Sequence, residues 1–499
     1  MRSQQVTVVA LCGLATIMGS LGWIIAGLGG AMNSLSAAVM LLVGISILAT
    51  RPTQAPLYLL ALVAFNRWVR RITDWNVGEF SQTPLTSIVP ELFCLILLLF
   101  VFGQWKSIPR QLRIGTCLIA GAVGLALGVG ITNGIGAIFE ALTWSAPLGL
   151  FLFLVWLRPD ISTIVSWFRG MVVIAIICVA YGWYQWLVLP PWEAFWVIES
   201  DMASMGAPEP RRSRFYSTFS GPGRVQQFAG LALLLMLVDK RVRPGGNALW
   251  LAITAFLMSG ILMGRVRSVW LTLMMASLIY MAVTRFSEKI RLVIVTTLVV
   301  IAGFVALPVI PGGAAVVDRL DSLTNLAEDG SFNGRVEFSQ RAIGMIISRP
   351  YGFGMGASGL AGRLAGRQSL IAFDNGYLQI GFALGLPGAA LLILGFYKIG
   401  KYIWAGLRQD WVRGDPDLNL KMMMAAFVVG HLAQLAASNF LRTEMALLVW
   451  LMLGTLAGMV YRKQTMPQRR PVELPRQRLT PRLSPMPVPA RPSTLRRRP

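Results

Sequence analysis

The sequence predicts an all-α, polytopic integral membrane protein with about 12–14 transmembrane helices and one long outer loop. Three observations predict it. Hydrophobic residues fill 55% of the 499 positions and charged residues 13%, a balance outside that of soluble domains. The apolar residues gather into runs near the roughly 20 residues that cross a bilayer. The basic residues between the runs also sort by kind. Lys106, Lys240, Lys289, Lys398, Lys401, Lys421 and Lys463 all fall on the side that the positive-inside rule makes cytoplasmic, and the other side keeps arginine.

In chain order the runs cover about 6–28, 33–50, 55–68, 84–104, 112–130, 138–157, 163–189, 221–238, 247–264, 267–284, 290–309, 374–398, 420–441 and 443–461. The first follows Met1 and Arg2 and is too long, with no small-residue cleavage site, for a secretory signal; it is read as a retained span. The third is short and is expected to tilt or re-enter. This order puts both termini in the cytoplasm, with inner loops around Lys106, Lys240, residues 285–291 and residues 398–421. Residues 1–461 then form a single transmembrane domain. Residues 462–499, basic and rich in proline, read as a disordered cytoplasmic extension against anionic headgroups.

The net charge of +23 would suggest nucleic acid in a soluble chain, but here it is scattered over loops and the tail, so membrane lipid is the expected partner and nucleic acid is not. Cys12, Cys94, Cys117 and Cys178 lie in apolar runs without metal-like spacing and read as packing residues. His431 is the one histidine, which excludes a multi-histidine metal site. It lies in an apolar run near Gln434, Ser438 and Asn439, where a structural hydrogen bond is the expected role.

The outer side carries Arg67, Arg70, Arg71, Arg211, Arg212, Arg214, Arg224, Arg265, Arg267, Arg335, Arg341, Arg349, Arg363 and Arg367. Positive charge is disfavoured there, so this crowd needs a positive reason. Arginine differs from lysine in its planar fork for phosphate and carboxylate, so an outward site for a polyanionic, pyrophosphate-bearing substrate is expected.

Three outer connections carry the arginines. In the first, Arg67, Arg70, Arg71 and Asp74 share a helical face, with Trp68 and Trp75 beside them, and the arginines read as interface anchors. The second leads through Arg214-Phe-Tyr-Ser-Thr-Phe-Ser-Gly-Pro-Gly-Arg224 into the next span. The third, residues 311–373, is too long for a simple connector. In it Asn333 is expected to cap a helix running to Arg349, with Glu337 and Arg341 paired one turn apart. Pro350-Tyr-Gly-Phe-Gly-Met-Gly356 follows as a turn that needs glycine. Arg363 and Arg367 then precede Asp374-Asn-Gly-Tyr377 at the start of the next span.

These pieces resemble a family. The Arg214 stretch, Arg265-Val-Arg-Ser-Val-Trp270, the long loop with Arg335 and Pro350-Tyr-Gly-Phe-Gly, and Asp374-Asn-Gly-Tyr-Leu with Gly381, Gly385 and Gly388 are together similar to the O-antigen ligase and O-antigen or exopolysaccharide polymerase group of Wzy-like membrane proteins. The similarity covers about residues 210–400. It implies a metal-independent glycosyltransferase of the bacterial inner membrane that works on the periplasmic side without a cofactor. The implied donor is an undecaprenyl-diphosphate-linked oligosaccharide, and a chain-length regulator is an implied partner. Many ligases of the group have His-Asn where this chain has Asp374-Asn375, which sets the expectation on a polysaccharide polymerase. An O-antigen ligase acting on lipid A core and a lipid-linked oligosaccharide flippase are the alternatives; a flippase is expected to show two related halves and short outer loops.

Breaking a sugar–diphosphate bond requires stabilising the departing charge and deprotonating an incoming hydroxyl. Arg265 and Arg267 are expected at the diphosphate, beside an apolar span where an ionisable group is costly. Arg214, Arg224 and Arg335 are candidate substrate contacts, with lipid phosphate or local pairing as the plainer alternative, and Arg363 and Arg367 are candidate rim charges. Asp374 is the candidate base, although a residue before a span is often only an N-cap. Asn375 is a candidate cap or contact, and Tyr377 a candidate surface for stacking a sugar.

Overall fold

In the computed structural model the described residues are 30–81, 85–201, 205–284, 330–364, 373, 375–438, 441 and 444–465. The runs expected at 6–28 and 290–309, and everything past 465, lie outside them. Among the described residues there is no β-strand, and the helices in order are α1 (Gly30–Thr50), α2 (Ala55–Val77), α3 (Val89–Phe102), α4 (Arg110–Val129), α5 (Ile135–Leu157), α6 (Ile161–Val188), α7 (Pro191–Ser200), α8 (Pro222–Val238), α9 (Asn247–Met263), α10 (Arg267–Val283), α11 (Gly330–Ser348), α12 (Gly359–Leu364), α13 (Gly376–Arg413), α14 (Leu418–Gln434) and α15 (Met445–Thr465). Seven of the helical stretches are long and apolar enough to cross a membrane, and α8, α9 and α10 are shorter apolar helices. The chain is an all-α polytopic membrane protein.

The bundle is layered around α15. Its span is 89% buried, against 39% for α1 and α4, so α15 is the inner pillar and α1 and α4 present apolar side chains outward, as lipid-facing helices do. The closest helix pairings are α13 with α4, α10 with α14, α3 with α5 and α15 with α5.

Two boundaries differ from the sequence reading for physical reasons. The run at 55–68 belongs to a full helix of 23 residues ending at a left-handed Gly78; its second half is polar in sequence but buries Asn66, Arg71, Thr73 and Asp74 against protein. The helix expected to start at Asn333 begins at Gly330, so Asn333 lies within its first turns. The Glu337 and Arg341 pair forms, at 3.5 Å.

Lys421 and Lys463 meet at one end of the bundle. Lys421, 2% exposed, reaches Asp410 at 2.6 Å and Asp415 at 3.0 Å, and Lys463 reaches Asp410 at 2.7 Å and also contacts Asp415. Arg241 joins Asp239 at 2.7 Å and Asp417 at 2.8 Å. Arg462 donates to the carbonyl of Arg158, and Tyr461 to that of Ser107. Arg462 and Lys463, read from sequence as the start of the tail, are thus the last turn of α15, where cations suit the helix C-terminus.

Burial works to raise the pKa of Asp415, but hydrogen bonds from Lys463, the Asp417 amide and Lys421 overcome it and hold the group at about 2, below its ordinary 3.8. A depressed carboxylate contributes stability above its unfolded pKa and loses it as pH falls through the folded one. The Tm gap between the parent and Asp415→Asn is therefore expected to shrink between pH 3.8 and about 2, and a gap constant over that window would contradict the pairing.

Candidate active site

At the opposite end, the connection between α7 and α8 is moulded around one buried guanidinium. Arg71, 1% exposed, lies 2.8 Å from the fully buried carboxylate of Glu193. Its Nη1 donates to the Phe219 carbonyl at 2.7 Å and its Nη2 to that of Ser217 at 2.5 Å. Its guanidinium carbon lies 5.2 Å from the Trp196 ring centre and 5.3 Å from that of Tyr216, and the two rings also touch each other. Glu193 also accepts from the Tyr181 hydroxyl at 2.5 Å, which accepts from Trp192. Arg71 is accordingly no interface anchor: it is buried because two carbonyls, a carboxylate and two rings satisfy it, and the turn it holds carries Ser217 at a φ of 56°. Arg70 is committed to Asp74, to the Ser81 carbonyl and to the face of Phe80.

That turn delivers the chain into α8, whose first turn packs on the junction of α9 and α10. Gly223 faces Val266 and Val269, Gly264 faces the side chain of Gln226, and the Gln226 amide donates to the Ile261 carbonyl. Arg224 is the third residue of α8 and Arg267 the first of α10. Arg265, between α9 and α10, takes a φ of 54°, a left-handed conformation rare for arginine. Neither α8 nor α10 has a side-chain N-cap or an acidic residue in its first turn. An arginine there opposes the helix dipole, and the arrangement becomes favourable when an anion sits over the helix end. Arg265 and Arg267 are half-buried, and Arg214, also half-buried, precedes the turn.

α13 meets α14 at the same end. Asn375 is a true N-cap, its Oδ1 accepting from the amides of Tyr377 at 2.9 Å and Leu378 at 3.2 Å. The Gly376 amide donates to the Leu435 carbonyl at 2.7 Å, and the Tyr377 hydroxyl to that of Leu432 at 2.6 Å. The amides of this helix start are spent on protein, so Asn375 serves α13 itself. The ring of Tyr377 stays 50% exposed. His431 is fully buried on α14, its Nδ1 3.0 Å from the Phe427 carbonyl, and Gln434 accepts from Gln227 of α8 at 2.6 Å. Asp374 and Arg367 lie outside the described residues; Arg335 lies in α11 and Arg363 in α12, by backbone alone.

The glycine turn after α11 is driven into the bundle. Gly352, Gly354 and Gly356 have φ of 84°, 77° and 80°, as the sequence requires. Phe353 donates from its amide to Phe382, Met355 to Ala126, and Leu386 to Pro350. Asn133 donates to the Met355 carbonyl at 2.7 Å and the Gly356 amide to Glu140 at 2.6 Å. α13 is broken where the turn crosses it, Gly385 having φ 65° and ψ 179°.

Three carboxylates at this end were not singled out from sequence: Glu140, Glu91 and Glu444. Glu444, just ahead of α15 and 3% exposed, lies 3.5 Å from Arg224 and accepts from the Ser220 hydroxyl at 2.5 Å. Glu91, in the first turn of α3 and 8% exposed, is within electrostatic reach of Arg67, Glu444 and Arg224. The signal that could have found Glu91 and Glu140 is the cost of an ionisable group in an apolar run; Glu444 stands at the edge of one.

Among the described residues no group of acidic, histidine or cysteine side chains is placed to hold a metal ion. No curated protein matches the chain. Residues 250–393, which take in α10, the glycine turn and the break in α13, match the family model of O-antigen ligase, and the likeness rests on this stretch of the chain.

Proposed function

We propose that this protein is a polysaccharide polymerase that joins undecaprenyl-diphosphate-linked oligosaccharide repeat units by glycosyl transfer at the end of the bundle opposite the lysines, the periplasmic face of the inner membrane. The family itself implies a glycosyl-transfer reaction. The observation that carries the donor assignment is the pair of uncapped helix starts, α8 with Arg224 and α10 with Arg267, meeting beside Arg265. Two aligned dipole ends and three guanidiniums suit a diphosphate that gains charge as the sugar departs. The half-exposed ring of Tyr377 is a surface for the sugar, and Asp374, by its sequence position, is a candidate for holding the acceptor hydroxyl.

Transfer to lipid A core is the second reading, because the matched family model is described as an O-antigen ligase. Purified protein given the lipid-linked repeat unit alone is expected to produce a ladder of glycan lengths; product only on addition of lipid A core would make it a ligase, and unchanged substrate would turn attention to translocation. Arg267→Lys keeps the charge and loses the fork. It is expected to slow transfer by about 10²-fold, the usual cost of one transition-state donor, as read by single-turnover product formation. Undiminished chain length in that variant would count against the diphosphate role.

A further inference from the structure

Four charged side chains from four separate stretches of chain form a cluster at the arginine end: Arg67 from α2, Glu91 from α3, Arg224 from α8 and Glu444 ahead of α15. None lies in the family-matched stretch. The arrangement is more than a neutral salt-bridge pair. Arg224 and Glu444 are 3.5 Å apart, beyond a good hydrogen bond, and the guanidinium is 29% exposed while the carboxylate is 3% exposed. Arg224 thus keeps part of its guanidinium open to solvent while one edge faces Glu444. Glu91 Oε2 is buried and has no hydrogen-bond partner among the described residues. A buried carboxylate oxygen left unmatched marks a place where a partner group belongs.

We infer that Glu444 is the general base that takes the proton of the acceptor hydroxyl, and that binding of the donor diphosphate at Arg224 releases it for that task. The inference rests on the lipid-diphosphate transfer proposed above. In the step, the acceptor oxygen bonds to the anomeric carbon, the bond from that carbon to the diphosphate oxygen breaks with its electron pair leaving on the diphosphate, and the acceptor proton passes to the Glu444 carboxylate. Glu91 offers its unmatched oxygen to the same hydroxyl-bearing ligand.

The coupling follows from electrostatics. Burial works to raise the pKa of Glu444, but Arg224, Arg67 and the Ser220 hydroxyl outweigh it and hold the group below the ordinary carboxylate value. An acceptor arriving first meets a weak base. A diphosphate at Arg224 offsets the guanidinium charge, and the proton affinity of Glu444 rises. Donor binding therefore precedes acceptor activation.

The test uses the full chain in detergent with two readouts, binding of undecaprenyl diphosphate and transfer from the lipid-linked repeat unit. Glu444→Gln is expected to lower kcat by about 10²–10⁴-fold, the range of a lost general base, while undecaprenyl diphosphate binds as tightly as to the parent or more tightly, Arg224 having lost its competitor. Transfer within about threefold of the parent would overturn the inference. Loss of binding together with transfer would make Glu444 a structural partner of Arg224 and overturn it as well. Should this variant fail to fold, Ser220→Ala keeps the carboxylate and removes one of its stabilising donors. The groups facing Glu444 are then Arg67, Glu91 and Arg224, and the acidic limb of the kcat/KM profile is expected to move to higher pH; an unmoved limb overturns the base. A parent that neither binds nor transfers overturns the underlying function too, whereas a parent that does both beside an equally active Glu444→Gln overturns the base alone.

Discussion

Replacing Arg71 with alanine is expected to lower the stability of the folded protein by about 3–5 kcal/mol, the range seen when one partner of a buried ion pair is removed. The change leaves the Glu193 carboxyl buried without its counter-charge, and it strips the carbonyls of Phe219 and Ser217 of their donors. Arg71→Lys is expected to recover only part of the loss, because one ammonium cannot reach a carboxylate and two carbonyls in the directions that a planar guanidinium serves together. Unfolding in detergent, followed by Tm and by denaturant midpoint, checks both. A double variant, Arg71→Met with Glu193→Leu, separates the causes: it removes the stranded carboxyl but not the stranded carbonyls, so it should fall between parent and Arg71→Ala. Activity should fall with Arg71→Ala as well, since the turn that Arg71 holds sets the positions of Ser220 and Arg224.

Gly354→Ala should abolish transfer, by about 10²-fold or more, while the bundle still folds. A Cβ at Gly354 would lie 2.2 Å from the Gly130 amide nitrogen, with φ at +77°. Neither backbone can yield without lifting the turn, and an alanine there adds the left-handed cost of roughly 1–2 kcal/mol. Lifting the turn breaks the bonds of Met355 to Ala126, Asn133 to Met355 and Gly356 to Glu140. It displaces the first half of α13 as well, and misplacement of a site by about 1 Å already costs on the order of 10² in rate. Gly128→Ala, on the neighbouring turn of α4 with open space around it, is the matched control and should transfer as the parent does. Limited proteolysis between α11 and α12 should cut Gly354→Ala faster than either.

The membrane spans were legible because the bilayer imposes a length and a polarity that a short window of sequence records; so was the glycine turn, since only glycine takes those φ values cheaply. The Asn375 cap and the Glu337 to Arg341 pair were legible because they join near neighbours in the chain. What sequence could not give was the meaning of charges whose partners are remote. Arg71 looks like an interface anchor beside Trp68 and Trp75 until Glu193, Ser217 and Phe219 are folded around it. Glu444 gives no signal in the sequence, since Ser220 and Arg224 come to it from α8 and the turn before it. The second half of α2 looked too polar to span, since its apolar complement comes from other helices.

The break in α13 has a mechanical consequence. The helix is 38 residues long, about 57 Å at ordinary rise, well beyond one bilayer. At Gly385 its own hydrogen-bond ladder stops, and the amide of Leu386 is met by the carbonyl of Pro350 from the glycine turn. The turn thereby completes the helix. Were it to withdraw, that amide would stand unpaired at membrane depth, a cost of several kcal/mol, unless the helix straightened through Gly385 to reclaim it. Withdrawal of the loop and straightening of the helix are therefore a single event, and Tyr377, eight residues before the break at Gly385 and so about 12 Å from it along the axis, swings with it.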